Sequence, residues 1–400
     1  MDPQKESLRI LLVNDYVSKV GGAEIYLYLL KDEFESRGHT VRIIAGHSEN
    51  IQSWFSRWFS PRYFNKTRSV IKEFKPDVLH AQNIFRCISP SPILAANLAN
   101  IPVILTMHDY GLYCSQGWAI QNNLTKCSGY SLRCIFNCKG KFRGLLNFPL
   151  AVIKHIRVGV HRQLITWLSP RIICVSTGLT FDLKKSMPAL RSRISYMAPP
   201  VKFMAQTKNE NKSSGAFLYV GRLEEGKGIE LILLAINELL HHQGISIRLT
   251  IIGSGIYREH LERMSKSLNI TSNILFLGHL NHQEINYHYT KSTCVISASV
   301  WQESLGLALI EAQSVGVPVI ASDAGGVRDI IIDNYTGMLF PVGNWRRLSE
   351  CMAKIALNPA LGVRLGVAGR QHVLDHFSKA EGISRLLDLY QFESAGRSNT

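Results

Sequence analysis

"AFLYVGRLEEGKGIELILLAINELL" (216–240) reads in three parts: an apolar run, a loop of glycines and charges, and an apolar pattern spaced near 3.6. That order predicts strand, turn and helix. "IRLTIIGSG" (247–255), "NILFLGHL" (273–280), "TCVISAS" (293–299), "PVIASDAGG" (318–326) and "GMLFPVG" (337–343) then supply further short strands with helical stretches between them. Alternation of this kind predicts a parallel sheet covered by helices.

The first half follows the same plan. "LRILLVNDYV" (8–17) is a buried-type strand, and "KVGGAEIYLYLLKDEFESRG" (19–38) is a glycine pair followed by a helix that Gly38 ends. "HTVRIIAG", "KPDVLHAQN", "IPVILTMHD" and "PRIICVSTG" are short Val/Ile/Leu runs that close on polar residues. In a doubly wound domain ligands gather beyond such strand ends. "APPVKFMAQTKNENKSSG" (198–215) is polar and contains two prolines, so it reads as a linker. The expected architecture is α/β, with an N-terminal Rossmann-like domain over 1–200, a C-terminal one over 213–375, and a cleft between them. The helix over 380–396 is grouped with the first domain.

Composition narrows the function. The 400 residues are 46% hydrophobic and 19% charged, which suits a globular chain. The formal net charge of +15 is uneven: residues 1–200 hold 26 Lys and Arg against 12 Asp and Glu, and residues 201–400 hold 19 against 18. Residues 110–181 carry nine basic residues and residues 50–72 carry five, with no acid in either stretch. A basic half points to an anionic partner or surface. No zinc-finger, RNP-like or helix-turn-helix pattern is present, so nucleic acid is not the expected partner. The start has no signal-peptide core and no stretch has the ~20 apolar residues of a span. Eight cysteines without such a signal suggest a reducing compartment. The expected location is cytoplasmic, peripheral on the inner face of the membrane if attached to it.

Neither "GGAE" (21–24) nor "GRLEEGKG" (221–228) has dinucleotide spacing, and no P-loop pattern occurs. "GSG" (253–255) is too short to carry weight alone. Arg222 and Lys227 lie on the loop after the first strand of the second domain. A guanidinium fork and a point charge there suit a diphosphate, with Gly221, Gly226 and Gly228 permitting close backbone approach. A solvated surface loop is the alternative, and Glu224 and Glu225 fit it. In "WQESLGLALIEA" (301–312) a helix is expected from Ser304 or Leu305, leaving the amides of Leu305, Gly306 and Leu307 for a phosphate. Glu303 would precede that helix and Glu311 would lie two turns along it. Carboxylates beside a phosphate site suit sugar and ribose hydroxyls.

These stretches, with "TGMLFPVGN" and the N-terminal "KVGGAEIYLYLL", "RGHTVRIIA" and "KPDVLHAQN", resemble glycosyltransferase family 4, over roughly residues 8 to 370. That resemblance implies the GT-B fold, two Rossmann-like domains facing across a cleft, and a retaining transferase. The donor it implies is a nucleoside-diphosphate sugar (UDP- or GDP-linked), with no cofactor required. It assigns Arg222 and Lys227 to the donor diphosphate and leaving group, Glu303 to the transferred sugar, and Glu311 to the ribose. The amides near Leu305 and Gly306 fall to sugar or phosphate, Gly21 and Gly22 to a loop approaching the donor, and His108 to the sugar's anomeric side. A nucleotide-sugar epimerase of the same architecture and a non-catalytic sugar-nucleotide or polyanion binder are the competing readings.

Two features sit outside that pattern. Cys114, Cys127, Cys134 and Cys138 form a cysteine-rich insertion; a structural zinc site is one reading, but the close C-x2-C pairs of firm zinc motifs are missing, which favours reduced free cysteines or a disulfide. "GKFRGLLNFPLAVIKHIRVGVHRQLITWL" (140–168) mixes cations with apolar side chains. This suits a helix lying on an anionic bilayer, or a core helix whose cations reach outward. The expected acceptor is a glycan, a lipid-linked saccharide or another anionic molecule.

Overall fold

A computed structural model describes residues 7–16, 22–46, 54–115, 117–121, 124–137, 148–205 and 215–396. The chain divides into two compact units: Met1–Ala119, Cys127–Lys202 and Phe377–Thr400 form the first, and Ile120–Lys126 with Phe203–His376 the second.

The first unit carries strands β1 (Arg9–Asn14), β2 (Thr40–Ala45), β3 (Val78–Gln82), β4 (Val103–Met107), β5 (Arg171–Cys174) and β6 (Ile194–Tyr196). Its helices are α1 (Gly22–Ser36), α2 (Pro61–Phe74), α3 (Ser91–Leu98), α4 (Cys134–Asn137), α5 (Phe148–Leu168) and α6 (Thr177–Ser186). All strand pairs are parallel, in the order β2-β1-β3-β4-β5-β6. The strands read as unbroken apolar runs because helices cover both faces, leaving Ile10, Leu11, Leu12 and Val13 with no exposed surface.

The second unit repeats the plan with β7 (Ala216–Val220), β8 (Arg248–Ile252), β9 (Ile274–Gly278), β10 (Cys294–Ser297), β11 (Val319–Ser322) and β12 (Met338–Phe340). Its helices are α7 (Ile229–His241), α8 (Arg258–Ser267), α9 (His282–Lys291), α10 (Leu307–Ser314), α11 (Trp345–Leu357) and α12 (Pro359–His376). The sheet is parallel in the order β12-β11-β10-β7-β8-β9. Ile232, Leu233 and Ile236 of α7 pack with Leu348, Met352 and Ile355 of α11 in its core.

The last helix, α13 (Lys379–Ala395), belongs to the first unit. Ile383, Leu386, Leu387 and Tyr390 join the core of Leu12, Leu30 and Val78. Val201 bridges to Ser378, and a Cβ on Gly382 would come within 3.0 Å of Pro200, so the prolines at the end of the first unit pack directly on α13.

Among the described residues no single helix is long and apolar enough to cross a membrane. Only α11 and α12 together reach that composition, bent by 103°, and their apolar faces fill the second core.

Candidate active site

Strand order places the site. In the second sheet β7 lies between β8 and β10, so the chain leaves β7 in one direction and later returns on its other side. Loops diverge at such a switch point and leave a crevice beyond the strand ends. The loops that follow β7 and β10 are the two that hold Lys227 and Glu303.

Lys227 Nζ lies 2.5 Å from Glu303 Oε1, with side-chain exposures of 18% and 13%. The same oxygen accepts from Trp301 Nε1 at 3.0 Å and from the Ser299 hydroxyl. Lys227 also sits 4.9 Å from the Trp301 ring centroid, where the ring face attracts its charge. Burial acts to raise the Glu303 carboxyl, but the charge and hydrogen bond of Lys227, with the donors of Ser299 and Trp301, outweigh it and hold it below its usual value. Ser299, Trp301 and Tyr289 below are the residues that motif reading missed. Trp301 lies inside the quoted motif but has no charge to draw attention to it.

Glycines make this arrangement possible. A Cβ on Gly226 would lie 2.2 Å from the Trp301 ring, and one on Gly228, at φ +62°, 2.1 Å from the Ala298 carbonyl. The room these glycines provide is therefore used by the neighbouring loop of the protein itself. Gly325, at φ +62°, and Gly326 hold the Glu303 backbone from the other side, with the Gly326 amide donating at 2.7 Å. The "GSG" of 253–255 proves structural: Cβ atoms on Gly253 and Gly255 would strike the carbonyls of Gly221 and Leu223 at 1.9 and 2.1 Å.

Arg222 bonds Glu224 at 2.9 Å on the exposed side of the loop, apart from the Lys227–Glu303 pair. One expectation needs correction, the start of the helix after Glu303. The helix begins at Leu307, later than Ser304 or Leu305, because Gly306 adopts φ +99°, which an L side chain resists, and serves as the N-cap. Leu305 and Gly306 therefore precede the helix, whose first turn leaves the amides of Leu307 and Ala308 without intrahelical carbonyls. Glu311 is half-buried in α10. It accepts from Tyr289 Oη at 2.9 Å, and burial pushes its carboxyl up to about 7 against that hydrogen bond.

In the first unit His108 follows the C-terminal end of β4. Its ring meets Tyr26 edge-on at 4.9 Å, its Nε2 is buried without a hydrogen-bond partner, and burial lowers its pKa to about 4. Asn14 Oδ1 and both amide atoms of Gln82 are likewise buried and unpartnered at the ends of the adjoining strands β1 and β3. Gly22 is the first residue of α1, and Gly21 lies outside the described residues. Cys127 and Cys134 both direct their thiols to the Gly129 carbonyl, at 3.6 and 3.4 Å, and Cys114 is buried nearby in the chain. Among the described residues no three His, Cys, Asp or Glu side chains are grouped to hold a metal, and Cys138 lies outside them.

Two doubly wound parallel domains define an α/β protein of the GT-B class. Residues 20–201 match the family profile described as Glycosyltransferase Family 4, and residues 201–372 that described as Glycosyl transferases group 1. The chain belongs to glycosyltransferase family 4 and is a glycosyltransferase. It is similar to the alpha-monoglucosyldiacylglycerol synthase of Streptococcus pneumoniae, with 25% identity across 83% of this chain and 75% of that protein. It also resembles the GDP-mannose-dependent alpha-(1-6)-phosphatidylinositol monomannoside mannosyltransferase of Mycolicibacterium smegmatis, with 27% identity across 42% of this chain and 46% of that protein. Sucrose-phosphate synthase from Thermosynechococcus elongatus shares the fold at a TM-score of 0.74 and 18% identity, over 97% of this chain and 100% of that one. Anabaena HepE, solved in complex with UDP, matches at 0.68 and 14% identity, over 96% of this chain and 100% of that one.

Proposed function

We propose that the protein transfers a hexose-type sugar from a nucleoside-diphosphate sugar to an acceptor hydroxyl, with retention of anomeric configuration. The observation that carries this reading is the meeting of Lys227, Glu303, Ser299 and Trp301 at the second sheet's switch point.

In the ligand-free protein Lys227 neutralises Glu303. A donor diphosphate offers Lys227 more negative charge than one carboxylate, so the ammonium turns to the phosphate oxygens and releases Glu303 Oε1 to the sugar hydroxyls. Lys227, with Arg222 freed from Glu224, then stabilises the charge that develops on the leaving diphosphate. The amides of Leu307 and Ala308, with those of Leu305 and Gly306 ahead of them, add donors for sugar or phosphate. Glu311 takes the ribose hydroxyls, whose donation favours its ionised form. His108 is neutral near pH 7 and serves the transferred sugar through its unpartnered Nε2.

Glu303 is a poor nucleophile. Ser299 and Trp301 go on donating to its Oε1 after Lys227 turns to the phosphate, and the sugar hydroxyls add to them. A double displacement through this carboxylate is therefore disfavoured, and a front-face route is preferred. In that route the C–O bond to the diphosphate breaks as the acceptor oxygen bonds the same face of the anomeric carbon. The acceptor proton passes to the departing phosphate oxygen.

A membrane-bound acceptor is the reading that helix α5 supports. Helix α5 exposes Ile156, Val160 and Trp167 at 50%, 46% and 66%, with Lys154 two residues before Ile156. Apolar side chains next to a cation suit an anionic bilayer, and the names of the two relatives above each contain a glycolipid, monoglucosyldiacylglycerol and phosphatidylinositol monomannoside.

The test is a panel of UDP-, GDP- and ADP-sugars, scored by thermal shift and by donor hydrolysis. One nucleotide series should stabilise the protein and be turned over, and Glu303→Gln should abolish turnover while keeping the fold. Turnover preserved in Glu303→Gln, or no response to any donor, would overturn the reading.

A further inference from the structure

The first sheet has a switch point of its own, between β1 and β3, which the donor reading leaves unused. Asp15, just past β1, ties the two sides together. Its Oδ2 accepts the Arg86 amide at 2.7 Å, and its Oδ1 accepts the amides of Cys87 and Ile88 at 2.8 Å each.

Three elements converge beside this turn. His161 of α5 bonds the Trp58 carbonyl through Nε2 at 3.1 Å, and its ring centroid lies 5.9 Å from that of Phe85. Each member of that trio has an arginine next to it. Arg57 precedes Trp58, Arg86 follows Phe85, and Arg157 lies one turn before His161 on the same face of α5.

Arg86 is satisfied: burial opposes its charge, but Asp109, Tyr16 and Asp15 together hold it above the usual arginine value. Arg157 is not. Arg157 Nε is buried without a hydrogen-bond partner, and burial followed by the charge of Arg57 lowers its pKa. Neither Arg57 nor Arg157 forms an ion pair among the described residues. The carboxylate that faces Arg157 is Asp15, whose oxygens are taken by three amides and whose own pKa burial pushes up to about 7. Two guanidinium groups held close with so little counter-charge are an unfavourable arrangement that an anion relieves.

We infer that Arg57 and Arg157 form an anion site at the first unit's switch point, for a phosphate or diphosphate ester carried by the acceptor. Guanidinium forks match phosphate oxygens in pairs. The stretches that supply them, 50–72 and 110–181, contain no acid to compete. Only the word acceptor rests on the transferase reading; the site binds its anion whether or not a donor is present.

The test titrates inorganic pyrophosphate into the full chain by calorimetry in a Lys227→Ala background, which removes the donor-side cation. Adding Arg57→Gln or Arg157→Gln should weaken binding at least tenfold, with melting curves confirming the fold. If burial makes Arg157→Gln unstable, Arg57→Gln reads the same site from the half-buried end of the 3-10 turn Trp54–Arg57. A short-chain prenyl diphosphate in detergent micelles separates the sources. Tighter binding than pyrophosphate assigns the site to a lipid-linked acceptor, and equal binding to a soluble phosphorylated one. Unchanged pyrophosphate affinity in both arginine variants would overturn the proposal. Nucleoside-diphosphate binding by wild type and by Lys227→Ala is measured separately, so that a failed donor reading is distinguishable from a failed anion site.

Discussion

Lys227 Nζ and Glu303 Oε1, 76 positions apart in the chain, are 2.5 Å apart in space and mostly shielded from water. Each is the other's counter-charge, so removing either leaves a charge that the fold cannot hydrate well. Lys227→Ala should lower stability by roughly 3 kcal/mol, the usual scale for breaking a buried pair. It should also lower kcat/KM by about 10²-fold through loss of leaving-group stabilisation. The folded carboxyl of Glu303 titrates below its unfolded value of 4.5, so its contribution is present above that pH and is lost as pH falls below it. Urea melts at pH 7 and pH 3.5 check the sign: the gap between wild type and Lys227→Ala should narrow in acid.

Glu311 has the opposite sign. Its carboxyl is raised from 4.5 to about 7, so the folded state binds the extra proton and stability falls as pH rises through that window. The full effect is about 3 kcal/mol. Glu311→Gln should remove that slope and melt higher than wild type at pH 8. If ribose hydroxyls donate to this carboxylate, nucleotide binding at pH 6.5 must release a fraction of a proton. Calorimetry in buffers of different ionisation enthalpy reads that release, and Glu311→Gln should abolish it.

Much of this was legible in the sequence, for physical reasons. Parallel strands buried on both faces must be apolar throughout, so β1, β4 and β7 announced themselves, and with the helices between them so did both sheets. The charged members of the site were visible because Arg, Lys and Glu at strand ends are costly unless used. What was not legible depends on positive φ and on distant contacts. Gly306 delays α10 by two residues or more, and nothing local distinguishes it from a helical glycine. Tyr289, the partner of Glu311, is set by tertiary packing, whereas Trp301–Glu303 and Arg222–Glu224 are pairs two residues apart that depend on how their loops fold.

Gly226 should be intolerant of any side chain. Its added Cβ would meet the Trp301 ring at 2.2 Å and push the indole off both Lys227 and Glu303. Gly226→Ala should therefore raise the donor KM and cut kcat/KM at least tenfold. Gly362→Ala is the matched control: it lies in α12, its nearest contact would be 3.7 Å, and alanine there should be neutral or stabilising by up to about 1 kcal/mol. Steady-state kinetics beside thermal melts separate the two.

The exposed face of α5 should bind anionic membranes. Trp167→Ser with Ile156→Ser removes two exposed apolar side chains without touching a cation. Flotation with vesicles containing phosphatidylglycerol should recover wild type and lose the double variant. High salt should weaken the wild-type interaction, as cations near a charged surface require. Equal flotation of both proteins would remove the membrane reading.

Acid should unfold the two units separately, the first unit first. Burial lowers His80 to about 3, with His108 adding to it, and lowers His108 and His161 to about 4. His80 is held neutral between Tyr390 Oη and Thr106 Oγ1, at 2.5 and 2.6 Å. All three belong to the first unit. Unfolded histidines gain a proton near 6.5 that these folded rings refuse, so the unfolded state binds more protons and stability falls as pH drops from 6.5 towards 4. In the same window protonation of Asp15 offsets part of that loss in the first unit, one group against three, and protonation of Glu311 favours the second. Hydrogen exchange at pH 7 and pH 5 should therefore show β1, β3, β4 and α13 losing protection while β7 and β10 keep theirs. The same depressed pKa means that His108 is already neutral through the range in which the enzyme is assayed. A kcat/KM profile should show no ionisation from it above pH 5, and His108→Gln should lower the whole profile without shifting its limbs. An acidic limb near 6.5 that vanishes in His108→Gln would place the ring in water and overturn the burial argument.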